Sequence, residues 1–172
     1  TVQRTVGGSP IDETTAFTYD ANDNLLTSTD PLGNVTTYAY NGNNQVTSKT
    51  DALLRETTYE YDDRGFLTRI NHPDSTFEVF GYDLDGRKTA HTDEGGNTRF
   101  FEYDDADRIT RVINPDGTAV ASVYDAGGRL VTQTDALGNA TTYEYDALNR
   151  VIRETDPLGS VTTKVYADMQ VK

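Results

Sequence analysis

Acidic side chains dominate the chemistry available to this chain: 28 Asp and Glu stand against 15 Lys and Arg, with two histidines and no cysteine in 172 residues. Two carboxylates about 5 to 9.5 Å apart across a sugar can perform glycosidase chemistry. With so many acids chance pairs are inevitable, whereas an active site needs one place that differs from the rest. Asp62 and Asp63 after Tyr61 recur as Asp104 and Asp105 after Tyr103, which argues against a unique site. The stretch DANDN at residues 20–24 alternates oxygens as a Ca2+ loop does. Leu25 stands where such a loop needs a Gly, however, and Pro31 where it needs a Glu. Turn capping is the expected role of these aspartates, since Asp routinely hydrogen-bonds nearby backbone in turns. His72 and His91 have no sequence neighbours that would complete a zinc or acid–base site, and both are expected to be structural. Ser and Thr are plentiful, yet no G-x-S-x-G elbow or S-x-x-K occurs. The expected site inventory is therefore catalytic none, cofactor-binding none and metal none, with no cofactor, and the chain is expected not to be an enzyme.

The arrangement of these residues is more informative than their chemistry. Tyr falls at 19, 40, 61, 82, 103, 124, 145 and 166, a spacing of 21 each time, which places eight of eleven tyrosines in one register. Asp or Asn follows in every unit but the last: Asp20, Asn41, Asp62, Asp83, Asp104, Asp125 and Asp146. Four residues after the Tyr stand Asp23, Asn44, Gly65, Gly86, Asp107, Gly128 and Asn149, types that tolerate a left-handed backbone. Arg87, Arg108, Arg129 and Arg150 come next in the later units and are expected to pair with a repeat Asp of the same or the next unit. A second punctuation begins eleven residues after each Tyr and reads DPLGN, DALLR, HPDST, DEGGN, NPDGT, DALGN and DPLGS. Its Gly suits a positive φ. Leu54 and Ser75 replace that Gly, which predicts two looser turns or turns of another type.

Between the punctuation marks lie strand-length segments rich in Val, Thr and Tyr, such as RLVTQT (129–134) and NVTTYAY (34–40), too short and too interrupted for helices. Each unit therefore predicts two antiparallel strands joined by tight turns. Phe17, Tyr38, Tyr59, Phe80, Phe101 and Tyr143 lie two residues before the repeat Tyr, on the same strand face. Stacked units then carry two aromatic ladders, expected to be buried as a core, with sugar-stacking or partner-binding as the alternative. Seven units supply about fourteen strands, a ribbon on the order of 65 Å across at roughly 4.8 Å per strand. So wide a sheet is expected to curl or spiral, with each unit stabilised by its neighbours.

Composition agrees with an array. Only 35% of residues are apolar, below the usual range for a self-contained globular domain. The net charge of -13 is spread along the chain and would repel nucleic acid or an anionic membrane. No stretch approaches the roughly 20 apolar residues of a membrane helix, so no membrane insertion is expected, and the N-terminus has no signal-peptide pattern. The chain starts without Met and is expected to be a piece of something longer.

The period, the Tyr-Asp pair, the segment GGRLVTQTDALGNATTYEYD (127–146) and the DPLGN turn resemble the RHS-repeat, or YD-repeat, family over residues 9–167. The resemblance implies an all-β fold: two-stranded repeats of 21 residues forming a long, curled antiparallel β-sheet, as a spiral ribbon or shell segment. It divides the chain into a partial preceding repeat at 1–18, seven tandem repeats at 19–166, and the start of another at 167–172. Such repeats resemble segments of very large secreted or cell-surface bacterial proteins and of the teneurin ectodomains of animals. In toxin members they enclose a C-terminal toxin domain, and in wall-associated members they are linked to attachment and carbohydrate binding. The resemblance thus implies a non-catalytic structural segment, with the rest of the parent RHS protein and an enclosed toxin domain as partners. The alternative is a surface adhesion module that binds glycans. The Arg-Asp-Pro-Ile-Gly-Leu-like motif that closes the array in toxin relatives is absent from this sequence, so self-cleavage is assigned to no residue.

Overall fold

Tight turns at regular spacing leave the chain little choice but to zigzag. A computed structural model describes residues 4–6, 9–11 and 14–166, and these contain strands and turns with no helix. The strands are β1 (Arg4–Val6), β2 (Ser9–Ile11), β3 (Ala16–Tyr19), β4 (Leu25–Thr29), β5 (Val35–Tyr40), β6 (Val46–Thr50), β7 (Glu56–Tyr61), β8 (Leu67–Asn71) and β9 (Phe77–Tyr82). They continue as β10 (Lys88–Thr92), β11 (Thr98–Tyr103), β12 (Ile109–Ile113), β13 (Ala119–Tyr124), β14 (Leu130–Thr134), β15 (Ala140–Tyr145), β16 (Val151–Thr155) and β17 (Val161–Thr163). Strands β3 to β17 lie in chain order in one open 15-stranded sheet, and β1 pairs with β2 apart from it. The predicted all-β architecture of antiparallel two-stranded repeats is therefore the fold. The expected start of a further repeat at 167–172 lies outside the described residues.

Backbone packing separates two units. The first comprises Thr1–Tyr82 with Thr92–Gly96, and the second comprises Asp83–His91 with Asn97–Lys172. Both are built from the same hairpins. In the first, β5 pairs with β6 through Thr37↔Thr50 to Tyr40↔Val46, with a bulge between Ala39 and Tyr40. In the second, β15 pairs with β16 through Thr142↔Thr155 to Tyr145↔Val151, bulged between Glu144 and Tyr145. The bulge follows from the loop: a hairpin turn that ends in a left-handed residue adds one residue to one strand. Asp125 N donates to Arg129 O and Gly128 N to Asp125 O, both at 2.9 Å, with Gly128 at φ 84°.

The turns expected to differ do not. Leu54 N donates to Asp51 O at 2.9 Å and Ser75 N to His72 O at 3.1 Å, with φ of 61° and 71°. They copy the bond that Gly33 makes to Asp30. The strands on either side fix the path of the loop, and a non-glycine residue is forced into the left-handed region at a local cost.

The aromatic rows also depart from expectation. Phe80 alone is buried among the described residues, at 9% exposure. Tyr38 and Tyr40 are half-buried on one face of β5, while Val35, Thr37 and Ala39 are exposed on the other. The described residues hold no helix and no second sheet beyond the β1–β2 pair. The inner rings are therefore partly covered by neighbours in their own sheet rather than enclosed in a core, and Phe17 and Tyr19 on β3 are exposed.

Candidate functional site

Two places concentrate polar side chains: the turn that follows each repeat Tyr, and the turn around His72, whose side chains differ from those of the other repeats. In the repeated turn the Asp carboxylate is the organiser. Asp104 Oδ1 accepts the backbone N–H of Ala106 at 2.9 Å and of Arg108 at 3.1 Å, and Oδ2 accepts Arg108 Nε at 2.7 Å. Asp20 uses its carboxylate in the same way, on the N–H groups of Asn22 and Asn24 and on the Asn24 amide. The oxygens that look like a Ca2+ loop in sequence are committed to the turn. Hydrogen bonding holds these carboxyls below their ordinary pKa, led by the side chain of Arg108 for Asp104, the backbone N–H of Arg129 for Asp125, and the side chain of Asn24 for Asp20.

The Arg then reaches onward. Arg87 Nη1 donates to Asp107 Oδ1 at 2.8 Å and to Asp104 O at 3.2 Å, in the turn one repeat later. Its guanidinium lies 5.3 Å from the ring of Tyr103, and Arg108 repeats this over Tyr124 at 4.6 Å. Where Arg is missing, other side chains make the step: Gln45 Nε2 donates to Gly65 O at 2.7 Å, and Asn24 Nδ2 to Asn44 Oδ1 at 2.8 Å. Both alternatives foreseen for the Arg, pairing within its own unit and with the next, occur together.

The tyrosine hydroxyl ties each repeat to the one before. Tyr40 donates to Leu25 O at 2.9 Å, Tyr61 to Val46 O at 2.8 Å, Tyr103 to Lys88 O at 2.7 Å and Tyr145 to Leu130 O at 2.7 Å. This is why the position is Tyr and not Phe. The carbonyl lies fifteen residues back, across a strand pair, so sequence neighbours do not reveal it.

At His72 the pattern breaks. The repeat Asp of this turn is a His, and its Nε2 lies 3.4 Å from Glu78 Oε1 and 3.3 Å from Glu94 Oε1. The turn is closed by His72 N to Thr76 O at 2.9 Å. His72 and Glu94 border a groove of about 660 Å³ that is also lined by Arg55, Pro73, Asp74 and Thr76, and Glu78 stands beside them.

The family model for the RHS Repeat matches residues 19–53, 40–76, 82–119 and 124–166. The chain belongs to the RHS repeat family.

Among solved structures the RHS chain is similar to the Photorhabdus luminescens Tc holotoxin pore, at 18% identity and a TM-score of 0.66 over 90% of this chain and 10% of that one. It is similar to TcdB2-TccC3 at 19% identity and a TM-score of 0.67, over 87% of this chain and 10% of the other. At such identities the likeness is one of fold, and the chain spans about a tenth of the length of these neighbours. No curated protein sequence matches it.

Within the RHS array the repeated turns are joints. Their polar groups point at one another and at the adjoining repeat, and the same set recurs from unit to unit. His72 is the exception. Sequence reasoning gave it no partners, because Glu78 is six residues away and Glu94 twenty-two. The signal that could have found them is the period itself: residues about 21 apart occupy successive turns of the array, and Glu94 stands one period and one residue beyond His72.

Proposed function

We propose that this chain is a non-catalytic structural segment of a large secreted or cell-surface bacterial RHS protein, one stretch of a β wall that encloses a C-terminal toxin domain. The carrying observation is that its side-chain chemistry is spent on joining repeats. Tyr hydroxyls reach back to the previous repeat, as Tyr103 does to Lys88 O at 2.7 Å, and Arg guanidinium groups reach forward, as Arg87 does to Asp107 at 2.8 Å. An enzyme concentrates unlike groups at one place, whereas a wall distributes like groups along its length. The toxin complexes with the same fold support enclosure as the use of the wall. The rest of the parent RHS protein and the enclosed domain are then its partners. The net charge of -13 disfavours nucleic acid and anionic lipid surfaces.

Limited proteolysis of the parent protein tests this. The domain that follows the repeats should resist protease while the array is intact and be digested once residues 19–166 are deleted. Equal digestion with and without the array would overturn the wall. A second reading, sugar binding, is favoured by the exposed rings of Phe17 and Phe100, at 52% and 48%. It predicts saturable glycan binding that Phe100→Ala weakens, and absence of glycan binding removes it.

A further inference from the structure

His72, Glu78 and Glu94 depart from the repeat at one place in the array. His72 stands at the first position of the β8–β9 turn, where most units have Asp or Asn. Glu78 lies on β9 opposite Ile70 of β8, and Glu94 follows Asp93 in the turn after β10. The register of the hairpins thus gathers three residues that are scattered in sequence. Their potential ligand atoms, one per residue, all lie within 4.8 Å of one another.

The state of the imidazole is the telling observation. His72 Nε2 is enclosed and has no hydrogen-bond partner, although two carboxylate oxygens stand within 3.4 Å. The oxygens are near enough for an ion pair, but their directions do not meet hydrogen-bond geometry. A buried nitrogen without a partner is unfavourable, and two carboxylates beside it add mutual repulsion. One divalent cation resolves both: it takes the nitrogen lone pair and neutralises the two negative charges.

The two separations from His72 fit a particular class of ion. A tetrahedral site with bonds of about 2.0 to 2.1 Å to His nitrogen and carboxylate oxygen separates its ligand atoms by about 3.3 to 3.4 Å. The His72–Glu94 and His72–Glu78 separations are 3.3 and 3.4 Å. Imidazole with carboxylate suits Zn2+ and related transition ions, whereas Ca2+ and Mg2+ want oxygen ligands in larger number.

We propose that His72, Glu78 and Glu94 form a three-ligand site for a single Zn2+-class divalent cation, with the fourth coordination position open to the groove lined by Arg55 and Asp74. The ion would clip the turn after β8 to the turn after β10, adding a metal joint where the second turn of the repeat has His in place of its usual Asp or Asn. The inference does not depend on whether the wall encloses a toxin domain.

The test is calorimetric titration of the full chain with Zn2+ alone near pH 7.5, with thermal unfolding as a second readout. One equivalent should bind saturably and raise the melting temperature, and excess Ca2+ should leave the titration unchanged. His72→Gln and Glu94→Gln should each weaken the affinity at least tenfold. Glu94 is 58% exposed, so its amide variant keeps the fold, and circular dichroism verifies this. Absence of saturable binding, binding of several equivalents, displacement by Ca2+, or affinity unchanged in both variants would each overturn the site, the last two by placing the ion on the acidic surface.

Discussion

Tyr103 donates its hydroxyl hydrogen bond to the Lys88 carbonyl at 2.7 Å, so removing the oxygen while keeping the ring isolates the tie between repeats. Tyr103→Phe should lower stability by about 1 kcal/mol in urea denaturation. Tyr61→Phe, on Val46 O, should add to it nearly independently. A mutant at full wild-type stability would show that the ring alone matters. Leu54 sits at φ 61° and is 85% exposed, so it endures the left-handed region without compensating burial. Leu54→Gly should raise stability by about 1 kcal/mol, measured the same way. The turn carboxylates set the response to acid. Hydrogen bonds to Arg108 and to Arg129 lower the folded pKa of Asp104 and Asp125, so near pH 4 the unfolded chain binds more protons than the folded one. Their contribution is complete above the ordinary Asp value of about 3.9 and is lost as pH falls through the lower folded values. Urea midpoints should therefore drop between about pH 5 and pH 2. The Asn41–Gln45 turn makes the same backbone bonds without a charge, and copying it through Asp104→Asn with Arg108→Gln should shrink that drop.

A hairpin in this chain is a module whose ends match. Deleting residues 104–124 removes one 21-residue period and rejoins Tyr103 to Asp125, restoring the Tyr-Asp pair and the strand alternation. The shortened chain should fold cooperatively, with a urea m-value lower by about one-seventh, because m follows the surface exposed on unfolding. Deleting ten residues instead would join unlike turns and should abolish cooperative unfolding. The elements were legible in sequence because their punctuation is chemical. Gly128 and Asn149 announce a left-handed position, Asp125 and Asp146 a cap, and the Val-Thr-Tyr runs between them a strand. What escaped sequence reading depends on pairing across strands. The carbonyl that receives Tyr145 OH is fifteen residues distant, and His72 meets Glu94 only after the hairpins are in register. Leu54 and Ser75 misled because the flanking strands outweigh the preference of one loop residue. The aromatic rows misled because a core needs a second layer, which a strand pattern alone does not supply.

At the scale of the molecule, the sheet is open in its strand order, with β3 and β17 at its two ends. Phe17 and Tyr19 on β3 are 52% and 56% exposed, while the half-buried Tyr38 and Tyr40 lie inside the strand order. An edge strand presents unpaired backbone groups and invites another strand. The acidic surface, at a net charge of -13, favours solubility and opposes non-specific association with nucleic acid. The most direct measurement of the central claim is a cryo-electron-microscopy structure of the parent protein. Further two-stranded repeats hydrogen-bonded to β3 and β17 are expected there, with a wall around density for an enclosed domain. Edges left unpaired in the parent, or a sheet that surrounds no density, would contradict the claim.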